Sequence, residues 1–446
     1  MTRARHHLGW IVFAVIILIV AVGRPTTAVA SDLESALHFI FDDVLDSALI
    51  LSPGPHAQHY LPEKVASSER TINALSNFIS ANTSNFPLSS TAAGVTFDFS
   101  TGVPVASMSS SGPVFAEQAT TLGRKKLNVG ANFSYLDLAR LRGIKTQDLS
   151  VNLFHQDIAD TLFGDSDYEY DYITLNLNMD LNAVVFATYA TYGITDRIDV
   201  GVAVPIVNVS MKAASVARMN SYTYTSSDSA SHYFGGTKYD PVLWHDVPVI
   251  DQSASGIGDI AVRAKANFYR SPGGNMAGLL EIRLPTGKAE DFLGAGDPSY
   301  KFGVIGSASF GGINPHVNAS YNIRTSKIDR NEVELKLGYD QKVGEKLTFA
   351  AEWMGSYEVG AQIWDTRFPD PQVISRPDGP NQTIATYYIP STSIPAYASD
   401  NVVNTSFGVK YMPKSNLLLV ANVILPVNNG GLRSSVIPTL GLELNM

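Results

Sequence analysis

Eleven side chains in the second half of the chain carry the chemistry this sequence has to offer: Arg263, Lys265, Glu281, Arg283, Lys301, His316, Glu334, Lys336, Glu352, Lys410 and Glu443. Each lies in the polar phase of a segment whose alternate residues are apolar. In 258–269, Ile260, Val262, Ala264, Ala266 and Phe268 alternate with positions that include Asp259, Arg263, Lys265 and Asn267. Residues two apart on an extended chain share a face, so these charges line one surface of a sheet. Charges of both signs on one enclosed face must pair across neighbouring strands, because an isolated buried charge is costly. The surface they imply is a narrow polar path. A sheet packed on one side and wet on the other gives the same alternation, and that reading stays open here.

Catalysis is poorly supported. A lipid-modifying barrel enzyme needs a Ser nucleophile with a His base close by, yet His155, His232, His245 and His316 stand apart and none opens a His-x-Ser-Asn-Gly segment. His316 shares the phase of Asn318 and Ser320, as a polar lining group would. His56 and His59 are three apart, but Pro55 and Pro62 disfavour a helix and no third ligand is evident. No metal, cofactor or catalytic residue is expected. Gly273-Gly274 and Gly430-Gly431 read as turns, since no phosphate-cradle Lys-Ser or Lys-Thr follows.

The elements that position the charges are strands. The chain has 446 residues, 45% hydrophobic but only 16% charged, against about 25% charged in an average soluble domain. Scarce charge with abundant Tyr, Phe, Gly, Asn and Ser suits strands greasy on one face and wet on the other. A net charge of −9 and the absence of long basic runs beyond the start argue against a nucleic-acid partner. With no Cys there is no disulfide, thiolate site or Cys nucleophile. Residues 1–30 read as a secretory signal peptide, with a basic start, an apolar core at 11–22 and Ala28-Val29-Ala30 as a cleavage site. No later stretch approaches 18 uncharged apolar residues, which excludes a helical membrane protein.

Residues 31–118 read as a periplasmic extension. Leu33, Leu37, Phe41, Val44 and Leu45 give a first helix, 62–79 a second, and the Ser/Thr/Gly/Pro composition of 80–111 a loop. Helices of this kind either stay outside a pore or plug it, and both readings remain. From 125 the period becomes two. Strands are expected at 125–135, 171–193, 197–211, 258–269, 276–284, 299–310, 315–323, 332–342, 347–357, 402–412, 417–425 and 436–446, about twelve in all. Short turns at 194–196, 270–275, 311–314, 344–346 and 413–416 alternate with longer excursions, notably 212–255 and 358–401. Bacterial outer-membrane barrels alternate in this way, with long loops outside. Phe268, Phe310, Tyr339 and Tyr411 suit an aromatic girdle. Over 436–446, Pro438, Leu440, Leu442, Leu444 and Met446 oppose Thr439, Gly441, Glu443 and Asn445; Thr439, Gly441, Leu444 and Met446 resemble a barrel-assembly signal, which usually ends on an aromatic residue rather than Met.

Further residues carry a family likeness: Gly112-Pro113-Val114-Phe115-Ala116-Glu117-Gln118, then Thr121 to Gly130 (TLGRKKLNVG), Tyr192 to Val202 (YGITDRIDVGV), Gly256-Ile257-Gly258-Asp259-Ile260 and Leu284-Pro285-Thr286-Gly287-Lys288. Over roughly 112–446 the chain resembles an outer-membrane channel family linked to meta-cleavage phenol degradation and distantly akin to hydrocarbon and fatty-acid uptake barrels. Gln118 departs from the basic residue that the family would place there, so the likeness does not settle how the linker docks. The resemblance implies a passive pore for small hydrophobic or aromatic molecules in the outer membrane of a Gram-negative cell. The expectation is therefore an all-β protein: a closed antiparallel transmembrane β-barrel over 119–446, preceded by a short helical extension. Its partners would be outer-membrane lipid, the barrel-assembly machinery and a small solute. Binding or adhesion through the long loops remains the alternative, with a lipid-modifying enzyme behind it.

Overall fold

The computed structural model describes residues 32–51, 66–84, 97–98, 105–106, 112–155, 167–325, 330–360, 371–378, 383–395 and 400–446. The expected signal peptide, the His56/His59 pair and most of the expected 80–111 loop lie outside them. Twelve antiparallel strands form the barrel: β1 Leu127–Asp137, β2 Tyr172–Gly193, β3 Ile198–Asn220, β4 Ile260–Ser271, β5 Gly274–Leu284, β6 Ser299–Ala308, β7 Ile313–Arg324, β8 Asn331–Val343, β9 Leu347–Val359, β10 Val402–Lys414, β11 Leu417–Pro426 and β12 Ile437–Asn445. Each pairs with the next, and β12 pairs with β1 over Thr439↔Ser134 to Asn445↔Asn128, which closes the ring. Further bonds fasten the seam: Leu127 N donates to Met446 O at 2.9 Å, Met446 N to Leu127 O at 2.8 Å, and Asn128 Nδ2 to Asn445 Oδ1 at 2.9 Å. Closure leaves no strand edge with unpaired N–H and C=O groups.

Alternation sorts the side chains as expected through most of the ring. Phe133 and Tyr135 are exposed while Asn128, Ser134 and Glu443 are buried inside, and every strand shows at least one large apolar residue outward. Phe268, Phe310, Tyr339 and Tyr411 are exposed towards the short-turn end. So wide an apolar exterior exceeds the few-hundred-Å² patches of soluble monomers.

β2 and β3 break the simple pattern. With 22 and 23 residues they reach roughly 70 Å at about 3.3 Å per residue, against about 30 Å of bilayer hydrocarbon. Their excess length rises at the long-loop end, where Ile250–Ile257 and Trp244–Asp246 pair back onto β3. Much of the expected 212–255 loop is therefore sheet. The greasy row Ile173, Leu175, Leu177, Met179 and Leu181 keeps the inward phase of Tyr189 and Thr191 and is no more than 2% exposed; the Asn and Thr residues opposite meet solvent. Above the apolar belt the same alternation thus points inside out, oil inward and water outward.

Two helices meet that oil. α1, Leu33–Asp42, continuing as a π-helical segment over Asp43–Ala48, buries Leu33, Leu37, Ile40 and Phe41 at helical spacing. α2, Ala66–Ser84, adds Ile72, Leu75, Phe78 and Ile79 to the same core. Helix α1 contacts Ile250–Ile257 and Ala289–Asp291, Ile50 pairs with Tyr233, and His245 Nε2 lies 2.8 Å from Asp43 Oδ2. Where the sequence pointed to a periplasmic extension, both helices therefore stand at the long-loop end, opposite the short turns. The cause is the inward apolar face of β2 and β3, against which the helices pack together with Leu138, Phe292, Leu293 and Ile394. Leu37→Ala should cost the dome formed by α1, α2 and the β2–β3 extension about 2–5 kcal/mol. Limited proteolysis should then cut α1 and the β2–β3 extension while the barrel keeps its unheated electrophoretic mobility; loss of both together would contradict this separation.

Candidate functional site

The short-turn half of the barrel interior is filled by a crossing segment, 112–123, that runs from the β9–β10 wall to the β2–β3 wall. Its shape follows from what the wall offers its backbone. Glu352 on β9 accepts three consecutive N–H groups, from Val114, Phe115 (2.9 Å to Oε2) and Ala116 (3.1 Å), so an anion sits in a nest of amide dipoles. Asn318 on β7 clasps Glu117 from both sides, accepting its N–H and donating to its carbonyl at 2.9 Å. Lys265 donates to Gln118 O at 3.1 Å, Asn267 to Ala119 O at 2.8 Å, and Ser307 Oγ accepts from Ala119 N at 3.2 Å. Asp199 on β3 accepts the Leu122 N–H at 3.0 Å. The Glu117 carboxylate pairs with Arg263, and Lys265 stands 3.9 Å away.

Glycines make the passage possible. A Cβ on Gly408 would stand 2.5 Å from Val114 Cγ2, and one on Gly193 would strike the Gly123 carbonyl. Gln118 docks without a basic group: its Nε2 donates to Asp340 Oδ1 at 3.1 Å. The sequence had left open whether the amino-terminal segment plugs the barrel, and it is the linker that occupies the interior here.

Above the linker the charges form a ladder. Arg283 Nε lies 3.3 Å from Glu281 Oε1; Lys301 Nζ lies 4.0 Å from Glu281 and 3.0 Å from Glu334; Lys336 Nζ lies 3.9 Å from Glu334; and Arg324 lies 2.8 Å from Glu332. Lys301 faces Glu281 across β5 and β6 by register, whereas Arg283–Glu281 and Lys336–Glu334 are two apart on one strand and Lys301 reaches Glu334 past β7. Nearer the short turns, His316, Asp340, Lys410 and Glu443 are at most 4% exposed. All eleven residues singled out in the sequence are inward-facing; Arg263, Lys265 and Glu352 hold the linker or its Glu117, while Glu281, Arg283, Lys301, Glu334 and Lys336 stand along the open space above.

That space is a chamber of about 230 Å³, lined on one side by Ala74, Asn77 and Phe78 of helix α2. One wall is the charged ladder; the other is apolar, with Phe78, Leu136, Leu138, Met354, Ile424 and Leu432. An apolar cavity of about 150 Å³ accepts benzene, so a single substituted ring fits. Sequence reasoning missed Arg433, which lines this chamber from the short strand Leu432–Arg433 between β11 and β12. No alternation marks so short a strand, and its pairing with Arg140–Leu141 is non-local. Burial alone acts on its guanidinium, lowering it to about 10, which leaves it a cation at neutral pH.

Two further clusters shape the long-loop rim. Asp259 accepts N–H groups from Gly287 at 3.0 Å and Ala295 at 2.8 Å, while Thr286 Oγ1 donates to Gly258 O at 2.7 Å. The GIGD and LPTG motifs thus lock onto each other, and burial pushes the Asp259 carboxyl up despite those donors. Asp171 accepts from Thr223 N at 3.2 Å, from Ser221 Oγ at 3.2 Å and from Thr223 Oγ1 at 3.1 Å, and lies 2.8 Å from His232 Nδ1. Although His155 and His232 come together, with ring centroids 5.0 Å apart, Ser221 donates to the carboxylate. The set is a loop knot in which the hydroxyls of Ser221 and Thr223 and the His232 ring all turn to the Asp171 carboxylate.

Residues 161–368 match a family model described as a putative MetA-pathway of phenol degradation. No curated protein matches the chain. Among solved structures, an outer membrane channel from Pseudomonas putida F1 is similar at 9% identity, covering 75% of this chain and all of that one, with a TM-score of 0.42. A monoaromatic hydrocarbon channel (7% identity, 72% of this chain and 88% of that one, TM-score 0.29) and a toluene transporter from Ralstonia pickettii (9%, 72% and 90%, 0.24) are also similar. At such scores the barrel stands on its own pairing register.

Replacing Glu352 with Ala leaves three buried N–H donors without their acceptor, at about 1–3 kcal/mol each. A Cys placed at Ala116 should then react with a water-soluble thiol reagent at least tenfold faster than in the otherwise unaltered chain. An unchanged rate would show that the linker does not depend on this clamp.

Proposed function

We propose that this chain is an outer-membrane channel for passive uptake of small hydrophobic or aromatic solutes. The observation that carries the reading is a chamber of ring-sized volume inside a closed barrel with large apolar residues exposed on the outer face of each of its twelve strands. Such a surface fits a lipid environment, and such an interior fits a solute that leaves water without entering hydrocarbon. The description of the matching family model agrees with this reading. Twelve strands lie between the filled interior of eight and the open bore of sixteen or more, so passage requires a movable obstruction. The linker supplies one.

In this mechanism a solute reaches the chamber from the dome side, rests between the ladder and the apolar wall, and proceeds when the 112–123 segment shifts within its clamp. Nothing in the step requires covalent chemistry or a cofactor. Thr439, Gly441, Leu444 and Met446 at the seam would serve recognition by the assembly machinery. Purified protein in planar bilayers should conduct in small steps, Glu352→Ala should enlarge those steps about twofold or more, and liposomes should take up benzyl alcohol faster than protein-free vesicles. No conductance in either protein and no added uptake would overturn the channel reading.

A further inference from the structure

The charges around the chamber do not balance once their partners are traced. Five cations line it, Arg283, Lys301, Arg324, Lys336 and Arg433, with five carboxylates, Glu281, Glu332, Glu334, Glu358 and Asp400. Two of those carboxylates are engaged from behind the wall. Asp400 is bound by Arg142 at 2.8 Å, and Glu358 lies 3.9 Å from Arg330. That leaves Glu281, Glu332 and Glu334 to Arg283, Lys301, Arg324 and Lys336, and no described carboxylate to Arg433.

The surplus is concentrated at Arg433. It is 6% exposed, its Nη2 donates to Val403 O at 2.9 Å and Asn404 Oδ1 at 2.6 Å, and among the described residues it forms no ion pair. Neutral acceptors occupy one of its three nitrogens. A buried cation without a counter-ion is costly, and it keeps directed donors for a planar anion, which guanidinium groups bind in bidentate fashion. The next residue adds a donor, since Ser434 Oγ is buried in the chamber wall with no hydrogen-bond partner among the described residues; Ser356 Oγ is in the same state. Phe78, Leu138, Ile424 and Leu432 line the same chamber with apolar surface.

We propose that the chamber is a binding site for a small aromatic carboxylate, its anionic end received by Arg433 and Ser434 and its ring lying on the apolar wall. The proposal rests on the channel reading and sharpens it, because it makes the preferred solute an organic anion rather than a neutral hydrocarbon. The ladder beyond serves as a route: Arg324, Arg283 and Lys301 offer successive cations, each already paired, so that an anion is handed on rather than trapped.

The test uses the full-length protein in detergent, with benzoate and benzyl alcohol as probes of equal ring and different charge, titrated calorimetrically at neutral pH. Benzoate should bind about tenfold or more tightly than benzyl alcohol, the difference expected for hydrogen bonds to a charged group. Arg433→Gln should abolish that preference and leave benzyl alcohol within twofold; Arg433→Lys should keep part of it. Should Arg433→Gln fail to fold, Ser434→Ala carries the test, with an expected loss of about threefold for benzoate alone. Equal binding of the two probes by the unaltered protein, or an undiminished preference in the folded variants, overturns the proposal. If benzyl alcohol still enters liposomes while benzoate shows no advantage, only the anion assignment falls; if the protein neither conducts nor takes up any probe, the channel reading falls with it.

Discussion

Every backbone N–H and C=O in this sheet must find its partner within the sheet, because lipid offers none. The seam between β12 and β1 is where that requirement is met or lost. Seven register pairs close it, and side chains reinforce it inside the barrel, with Ser134 Oγ and Thr439 Oγ1 3.0 Å apart. Closure then fixes two surfaces of opposite character from one alternating sequence. It also sets the size of the interior and thus what can lie within it.

What fills that interior is decided by charge and backbone together. The wall presents carboxylates, amides and ammonium groups at positions enforced by register, and a segment outside helix and strand, whose peptide groups need partners, satisfies them. Glu352 and Asn318 bind main chain rather than side chain, which explains why the linker sequence needs few charges of its own. Glu117 is the exception, pairing with Arg263, which faces Glu281 by register, and standing 3.9 Å from Lys265, which faces Asp199. The same logic leaves the chamber open above, where salt bridges are already complete along β5 to β8 and the opposite wall turns apolar.

The strand ladder was legible because residues such as Val262 and Arg263 alternate without interruption, and boundaries differed from expectation mostly by one to three positions. β3 was the large exception: its upper half, with Ala213, Ala214, Ser215, Ala217 and Arg218 and only Val216 β-branched between them, is poor in the β-branched and aromatic residues that mark strands, and it is held by pairing to 172–182 and to the returning segments. The phase of the eleven charged and His residues could be read locally, but their partners could not. Glu352 gives no local sign that it will meet residues 114–116, and Arg433 sits in a two-residue strand. The row from Ile173 to Leu181 was read correctly as one face, yet alternation alone cannot tell whether a greasy face meets lipid or protein. The helices answer that, since Leu33, Leu37, Ile40 and Phe41 need a surface of the same kind.

Amide hydrogen exchange on the protein reconstituted in lipid reads the closure directly. The account predicts that the amides of Leu440 to Leu444 and Val129 to Phe133 exchange as slowly as those of the β7–β8 pair, hours or longer, with no fast-exchanging edge anywhere among the twelve strands. Exchange at the β12–β1 seam orders of magnitude faster than at β7–β8 would mean an open sheet, and the enclosed interior with its linker and chamber would not exist.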